Sequence, residues 1–126
     1  MGPSKSFKNL SAKIPELLPT DAVEITDTRN PNYVAKWRAC GITFSLDETR
    51  DTHHMSLDVY ISNRASPEAI DWNKVEEIVK KVADAYTQAC RAKRQNASMN
   101  CSAWVNTRNK NWFPCLMQKL QEQLTD

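Results

Sequence analysis

One long amphipathic segment, residues 67–91, constrains the fold of this chain most. Its apolar residues recur at steps of three and four and form one stripe: Val75, Ile78, Val79, Val82, Ala85, Tyr86, Ala89 and Cys90. Charged residues fall on the other side, where Glu76 and Lys80 have the spacing of a supporting ion pair. Ser66 and Pro67 form a start signal, because a capping hydroxyl precedes a proline whose missing N–H costs nothing there. The segment is therefore predicted to be a helix whose stripe is covered by a small sheet.

Several segments outside the helix have strand patterns. Residues 40–47 and 55–62 alternate apolar and polar side chains, which predicts an antiparallel pair with one face in contact with water. Residues 21–27 are expected to form an edge strand, and residues 33–40 are ambiguous with a preference for strand. Residues 96–105 are predicted to add another strand after the helix.

Shorter helices are predicted near both ends of the chain. Residues 7–14 have helical spacing with Ser6 as the candidate cap, and a last helix is expected from about Pro114. Residues 1–5 are expected to be disordered. The 126 residues then form a single α+β domain. Its predicted architecture is a two-layer sandwich, in which a small, mainly antiparallel sheet packs on a long central helix with short N- and C-terminal helices.

Composition excludes several classes of function. The 17 basic and 15 acidic residues leave a net charge of +2, so no global field indicates a nucleic-acid or membrane partner. Gly41 is the only glycine beyond the extreme N-terminus, which excludes a Gly-rich phosphate loop. No apolar run reaches membrane-spanning length, and the polar start shows no signal peptide. That start is compatible with a cytosolic protein or with a mature secreted domain, and no cofactor is expected.

Four dispersed cysteines help to distinguish a cytosolic protein from a secreted one: Cys40, Cys90, Cys101 and Cys115. Without a C-x-x-C pair they do not indicate a zinc or thioredoxin-like site. They are either buried free thiols of a cytosolic protein or two disulfides of a secreted one, and we favour disulfides. Two disulfides allow three connectivities; in one of them Cys40 links to Cys101 across strands, which leaves Cys90 and Cys115 to tie the two helices. Three sequons also favour a secretory route; they begin at Asn9, Asn96 and Asn100.

The residues with catalytic potential lie around the loop between the two clearest strands. His53 and His54 would bind a metal or supply a general base, but neighbours on an extended chain point to opposite faces. We therefore favour a solvated loop with no metal. The carboxylates near these histidines include a candidate acid–base pair of unknown separation; they are Asp47, Glu48, Asp51 and Asp58. No serine or cysteine has a catalytic signature, so we predict no enzyme activity and no catalytic residue.

A basic and aromatic group is the candidate binding site. Its residues are Arg91, Lys93, Arg94, Trp104, Arg108, Lys110 and Trp112. If the helix end and the later loop converge, this group would bind single-stranded nucleic acid or an acidic partner. The alternative, which we favour, is a solvated helix end with two packed tryptophans.

The chain resembles the KP4-like killer toxins and the related Ecp2-type small secreted fungal effectors. The resemblance covers residues 38–104 and rests on the order and spacing of four segments: Cys40-Gly41-Ile42-Thr43-Phe44, Asp58-Val59-Tyr60-Ile61, the helix start near Ile70-Asp71, and Met99-Asn100-Cys101. It implies a compact, disulfide-linked α/β sandwich that a fungus secretes and that acts on a host or competitor by binding. Related proteins are associated with ion-channel inhibition, but no site residue is carried over.

These observations predict a small secreted, disulfide-stabilised interaction protein, effector- or toxin-like, with a protein target in a host or competitor. The alternative is an intracellular nucleic-acid-binding domain that uses the basic and aromatic group. A small hydrolase centred on His53 or His54 ranks last. The oligomeric state is not predicted.

Overall fold

The computed structural model of the protein describes residues 2–61, 67–96 and 101–106, with side chains described for residues 2–60 and 68–92. The fold is α+β, with the helices α1 (Lys5–Leu17) and α2 (Trp72–Asn96) and a short 3₁₀ turn, Pro67–Ala69. The strands are β1 (Val23–Ile25), β2 (Tyr33–Ala39), β3 (Ile42–Glu48), β4 (Met55–Ile61) and β5 (Cys101–Asn106).

The described strands form one sheet in the order β1-β2-β3-β4-β5. The first four are antiparallel, because short connections reverse the chain between them. Cys40 and Gly41 form the β2–β3 turn with φ values of 54° and 79°, as two-residue hairpins that match the twist of the strands require. β5 is instead parallel to β4, because α2 returns the chain to the starting end of β4.

One hydrophobic core joins the sheet to both helices. Alternate residues of β2, β3 and β4 enter it, including Trp37, Phe44 and Leu57, together with Phe7 and Ile14 of α1. The stripe predicted on α2 is buried with them, apart from the partly buried Ala89. α1 and α2 also contact each other. The prediction of an amphipathic helix with this buried face is therefore confirmed.

The start of α1 differs from the sequence prediction. Ser4, and not Ser6, caps the helix, since its hydroxyl accepts a hydrogen bond from the Phe7 N–H at 3.2 Å. Residues 1–5 are predicted to be disordered, whereas Lys5 is the first residue of α1. The helix also runs past Pro15 to Leu17, because a proline this close to the C-terminal end disrupts only the last turn.

The bounds of α2 and β5 were also predicted inaccurately. Asp71 accepts the Lys74 N–H through its side chain at 3.2 Å and the Val75 N–H through its carbonyl at 3.0 Å. It is therefore the helix cap, and the predicted start at Ser66-Pro67 is wrong because that proline begins a separate 3₁₀ turn. α2 extends to Asn96, and β5 begins only at Cys101. The helix expected from about Pro114 lies outside the described residues.

The cysteine prediction fails for one pair. Cys40 is a free thiol. Cys40 lies beside the end of the sheet where Ile42 faces Ile61, whereas Cys101 lies opposite Met55 at the other end of β4. Six residues of strand separate those ends by roughly 20 Å, and a disulfide needs Cα atoms within about 7 Å. The Cys40–Cys101 bridge is therefore wrong; Cys115 lies outside the described residues.

Candidate functional site

The face of the sheet that does not enter the core carries a row of polar residues. Lys36 of β2 faces Ser45 of β3, and Ser45 faces Asp58 of β4. In the same register Asp58 pairs with Trp104 of β5. We call this surface the polar face; its residues are Lys36, Arg38, Ser45, Asp47, Asp58 and Tyr60.

The centre of the polar face is well packed. Ser45 is only 4 % exposed, and Thr43, two residues earlier on β3, is only 2 % exposed. The Ser45 hydroxyl donates a hydrogen bond to Oδ1 of Asp47 at 2.9 Å. This bond orients the carboxylate of Asp47, because a small buried hydroxyl has few alternative positions.

Lys36 is paired at the edge of the polar face. Its Nζ lies 3.3 Å from Oδ2 of Asp27, in the segment between β1 and β2. The backbone N–H of Arg29, and then Lys36 itself, lower the pKa of Asp27. Burial opposes the charge on Lys36, but Tyr60 and the neighbouring carboxylates outweigh burial and raise its pKa. The Asp27–Lys36 pair is therefore ionised near neutral pH.

Unlike Asp27, the carboxyl groups of Asp47 and Asp58 have raised pKa values. Both are half-buried, and burial raises the pKa of each carboxyl group; the negative charge of Asp47 raises that of Asp58 further. Within the described residues, neither has a cation within 4.0 Å. Two desolvated carboxylates on adjacent strands are suited to accept hydrogen bonds or a positive charge from a bound molecule.

The loop between β3 and β4 places His53 beside a carboxylate of the opposite face. His53 has φ of 52°, so the chain is not extended there, and its Nδ1 lies 3.3 Å from Oε2 of the buried Glu48. The loop is predicted to be solvated, but the imidazole of His53 is only 21 % exposed. His54 instead fixes the loop through its backbone N–H, which donates to the Thr49 hydroxyl at 2.9 Å.

This arrangement is not that of a catalytic triad. In a triad the nucleophilic hydroxyl contacts the imidazole, and the imidazole contacts the carboxylate. Here the Ser4 hydroxyl donates directly to Oε1 of Glu48 at 2.5 Å, and Glu48 separates it from His53. Among the described residues there is also no cluster of three or more side chains that would hold a metal ion.

The predicted basic and aromatic group is not assembled by the described residues. Arg91 is exposed near the end of α2, and Lys93 and Arg94 follow in the same helix. β5 starts five residues after the end of α2 and runs for roughly 17 Å, so Asn106 lies at the opposite end of the strand from Cys101. Arg108, Lys110 and Trp112 lie outside the described residues.

Comparison of the chain with protein-family models, with curated proteins and with solved structures finds no match. Neither of the two described helices combines the length and the apolar character that crossing a membrane requires. The function must therefore be inferred from the polar face and from the contacts of Glu48.

The sequence predicts only part of this site. Asp47 and Asp58 belong to the predicted group of carboxylates, whereas Lys36 and Asp27 are not among the predicted residues. The alternation in residues 33–39 places Lys36 and Arg38 on one face, and this signal would have identified them. Nothing local in the sequence indicates that Asp27 reaches Lys36.

Proposed function

We propose that this protein is a binding protein, effector- or toxin-like and not an enzyme, that recognises a protein target through the polar face. In this proposal α2 lies across the sheet as the second layer of a two-layer sandwich. The target would then contact the residues of the polar face that are at least partly exposed: Lys36, Arg38, Asp47, Asp58 and Tyr60.

The observation that carries the proposal is the state of Asp47 and Asp58. Each carboxylate has lost part of its hydration, and the nearby charge of Lys36 offsets this loss only in part. Such groups cost stability in the free protein and are typical of surfaces kept for function. A target that supplies Lys or Arg side chains, or backbone N–H groups, would satisfy them.

The rest of the polar face fits a protein surface better than a phosphate backbone. Lys36 and Arg38 are present, but Asp27 already pairs with Lys36. The carboxylates of Asp47 and Asp58 would repel phosphates at the centre of the same surface. Mixed charges over a small area are a common feature of the polar parts of protein–protein interfaces.

The test compares one variant of the polar face with one of the outer face of α2. Asp47→Asn with Asp58→Asn removes both charges, and the control, Glu77→Gln with Asp84→Asn, removes two exposed charges from α2. We expect proteins that bind to the immobilised wild type not to bind to the Asp47→Asn, Asp58→Asn variant. The same proteins should still bind to the Glu77→Gln, Asp84→Asn control. Equal recovery on all three proteins would refute recognition through the polar face.

The secretory route and the KP4-like or Ecp2-type relationship remain proposals. The free thiol of Cys40 removes the support that a Cys40–Cys101 disulfide would have given to them. Mass spectrometry of the protein from its native source, alkylated before reduction, tests the route. A disulfide that includes Cys90 would favour secretion, whereas four alkylated cysteines would argue against it.

The nucleic-acid alternative has its own decisive measurement. Binding to single- and double-stranded RNA and DNA should be recorded across a salt series, since phosphate contacts weaken steeply as salt rises. We expect no salt-dependent binding at micromolar protein. Binding that disappears with Lys36→Glu or Arg91→Glu would instead favour this alternative.

A further inference from the structure

Glu48 is a fully buried carboxylate that holds two distant parts of the chain together. Oε2 accepts the backbone N–H of Ser4 at 2.7 Å, and Oε1 accepts the Ser4 hydroxyl at 2.5 Å. Nδ1 of His53, from the loop after β3, lies 3.3 Å from Oε2. A buried carboxylate of this kind is stable only while such donors compensate for its lost hydration.

Through its contacts with Ser4, Glu48 of β3 helps to fix the position of the first turn of α1. The Ser4 hydroxyl also accepts the Phe7 N–H at 3.2 Å, and the Ser4 carbonyl accepts the Lys8 N–H at 3.0 Å. The negative charge of Glu48 therefore lies beside the positive end of the helix dipole. The contacts of Glu48 with Ser4 and the packing of Phe7 against Tyr33 both attach the first turn of α1 to the sheet.

We propose that Glu48 is a proton-operated latch for the first turn of α1. When Glu48 is ionised, both oxygens accept hydrogen bonds and the turn is held against the sheet. Protonation removes the negative charge that strengthens all three hydrogen bonds and turns one accepting oxygen of Glu48 into a donor, so the contacts with Ser4 and His53 weaken. Ser4 then separates from Glu48, and the first turn of α1 opens while the sheet stays folded.

The groups around Glu48 determine how the latch responds to pH. The titratable or charged side chains placed next to Glu48 are Tyr33, its partner on β2, Arg50 and His53 of the loop, and Tyr86 of α2, which bonds to the neighbouring Met55. Arg50 lies over the Tyr33 ring, 4.2 Å from its centre, and α1 contributes the non-titrating Ser4. Among these groups, Glu48 is the one that contacts Ser4, so release requires Glu48 itself to take up a proton.

The experiment measures amide hydrogen exchange of Phe7 and Lys8 by NMR, relative to Phe44 in the sheet, from about pH 7 to about pH 4 and corrected for intrinsic exchange. In the wild type, opening of the two α1 amides should increase about tenfold or more relative to Phe44 as the pH falls. In Glu48→Gln the amides of Phe7 and Lys8 should already exchange fast near neutral pH, and their exchange relative to Phe44 should not change further in acid. Glu76→Gln, an isosteric change on α2, should behave as the wild type.

A second variant keeps the test decisive if Glu48→Gln does not fold. Ser4→Ala removes the hydroxyl donor and should increase opening near neutral pH while reducing the response to acid. The proposal is overturned if protection of Phe7 and Lys8 relative to Phe44 is the same at both ends of the pH range in the wild type. It is also overturned if Ser4→Ala or Glu48→Gln retains the full wild-type response.

Discussion

The phenol of Tyr86 donates a hydrogen bond to the carbonyl oxygen of Met55 at 3.0 Å. Both residues are fully buried, so the bond is shielded from competing water. It connects α2 to the first residue of β4 and fixes the position of the helix along the sheet. Apolar packing alone constrains that position only loosely, since it has no preferred direction.

Removal of this hydrogen bond should destabilise the protein measurably. Tyr86→Phe keeps the ring but leaves the Met55 carbonyl without this donor, which should lower the free energy of unfolding by about 1–2 kcal/mol. Tyr60→Phe, on the polar face, should change it by less than about 0.5 kcal/mol. Urea unfolding followed by circular dichroism measures both values. Equal effects of the two substitutions would contradict the role given to the Tyr86 phenol.

The buried stripe of α2 predicts a strong contrast between neighbouring positions. Val82→Asp places an unpaired charge in the core and should abolish folding, with a loss of more than about 4 kcal/mol. Lys81→Asp changes an exposed side chain and should be tolerated. Thermal denaturation of the two variants provides the comparison. Similar melting temperatures would show that the assigned helix face is incorrect.

The two described cysteines should differ in reactivity. Cys40 is half-buried in the β2–β3 turn, whereas Cys90 is fully buried in α2. Without any reductant, iodoacetamide should label Cys40 slowly in the folded protein and label Cys90 only after denaturation. Peptide mapping by mass spectrometry identifies the labelled sites. A peptide that links Cys40 to Cys101 would contradict the strand register.

Replacement of Asp58 should affect stability in a pH-dependent way. Burial and then Asp47 raise the pKa of the Asp58 carboxyl group in the folded protein. The folded state therefore binds more protons than the unfolded state just above the ordinary value, and stability falls as pH rises through that window. Asp58→Asn should stabilise the protein above the window by up to about 1 kcal/mol. The gain should disappear in acid, where the wild-type group is also neutral.

Chemical denaturation near neutral pH and in acid, at constant salt, checks this sign. A matched substitution, Asp84→Asn on the exposed side of α2, should show no comparable pH dependence. A stabilising effect of Asp58→Asn that persists unchanged in acid would indicate a cause other than the charge.

Part of the polar face was accessible from the sequence. The alternation along β3 and β4 places Ser45, Asp47 and Asp58 on one side, and the register confirms that Ser45 and Asp58 face each other. The pairing of Lys36 with Asp27 was not accessible, because it depends on how the segment before β2 folds back. The direction of β5 was missed for a related reason, since a strand pattern does not specify whether pairing is parallel or antiparallel.

The sequence by itself determined the periodic features of this protein: the apolar stripe of α2 and the alternation of β3 and β4. These features depend on neighbours two to four positions apart, which share a face whatever the rest of the chain does. Only the tertiary structure decided that Ser4 meets Glu48, 44 positions away, and that Cys40 and Cys101 lie at opposite ends of the sheet. Such contacts depend on strand order and helix placement, which result from packing of the whole core and have no local periodic signal.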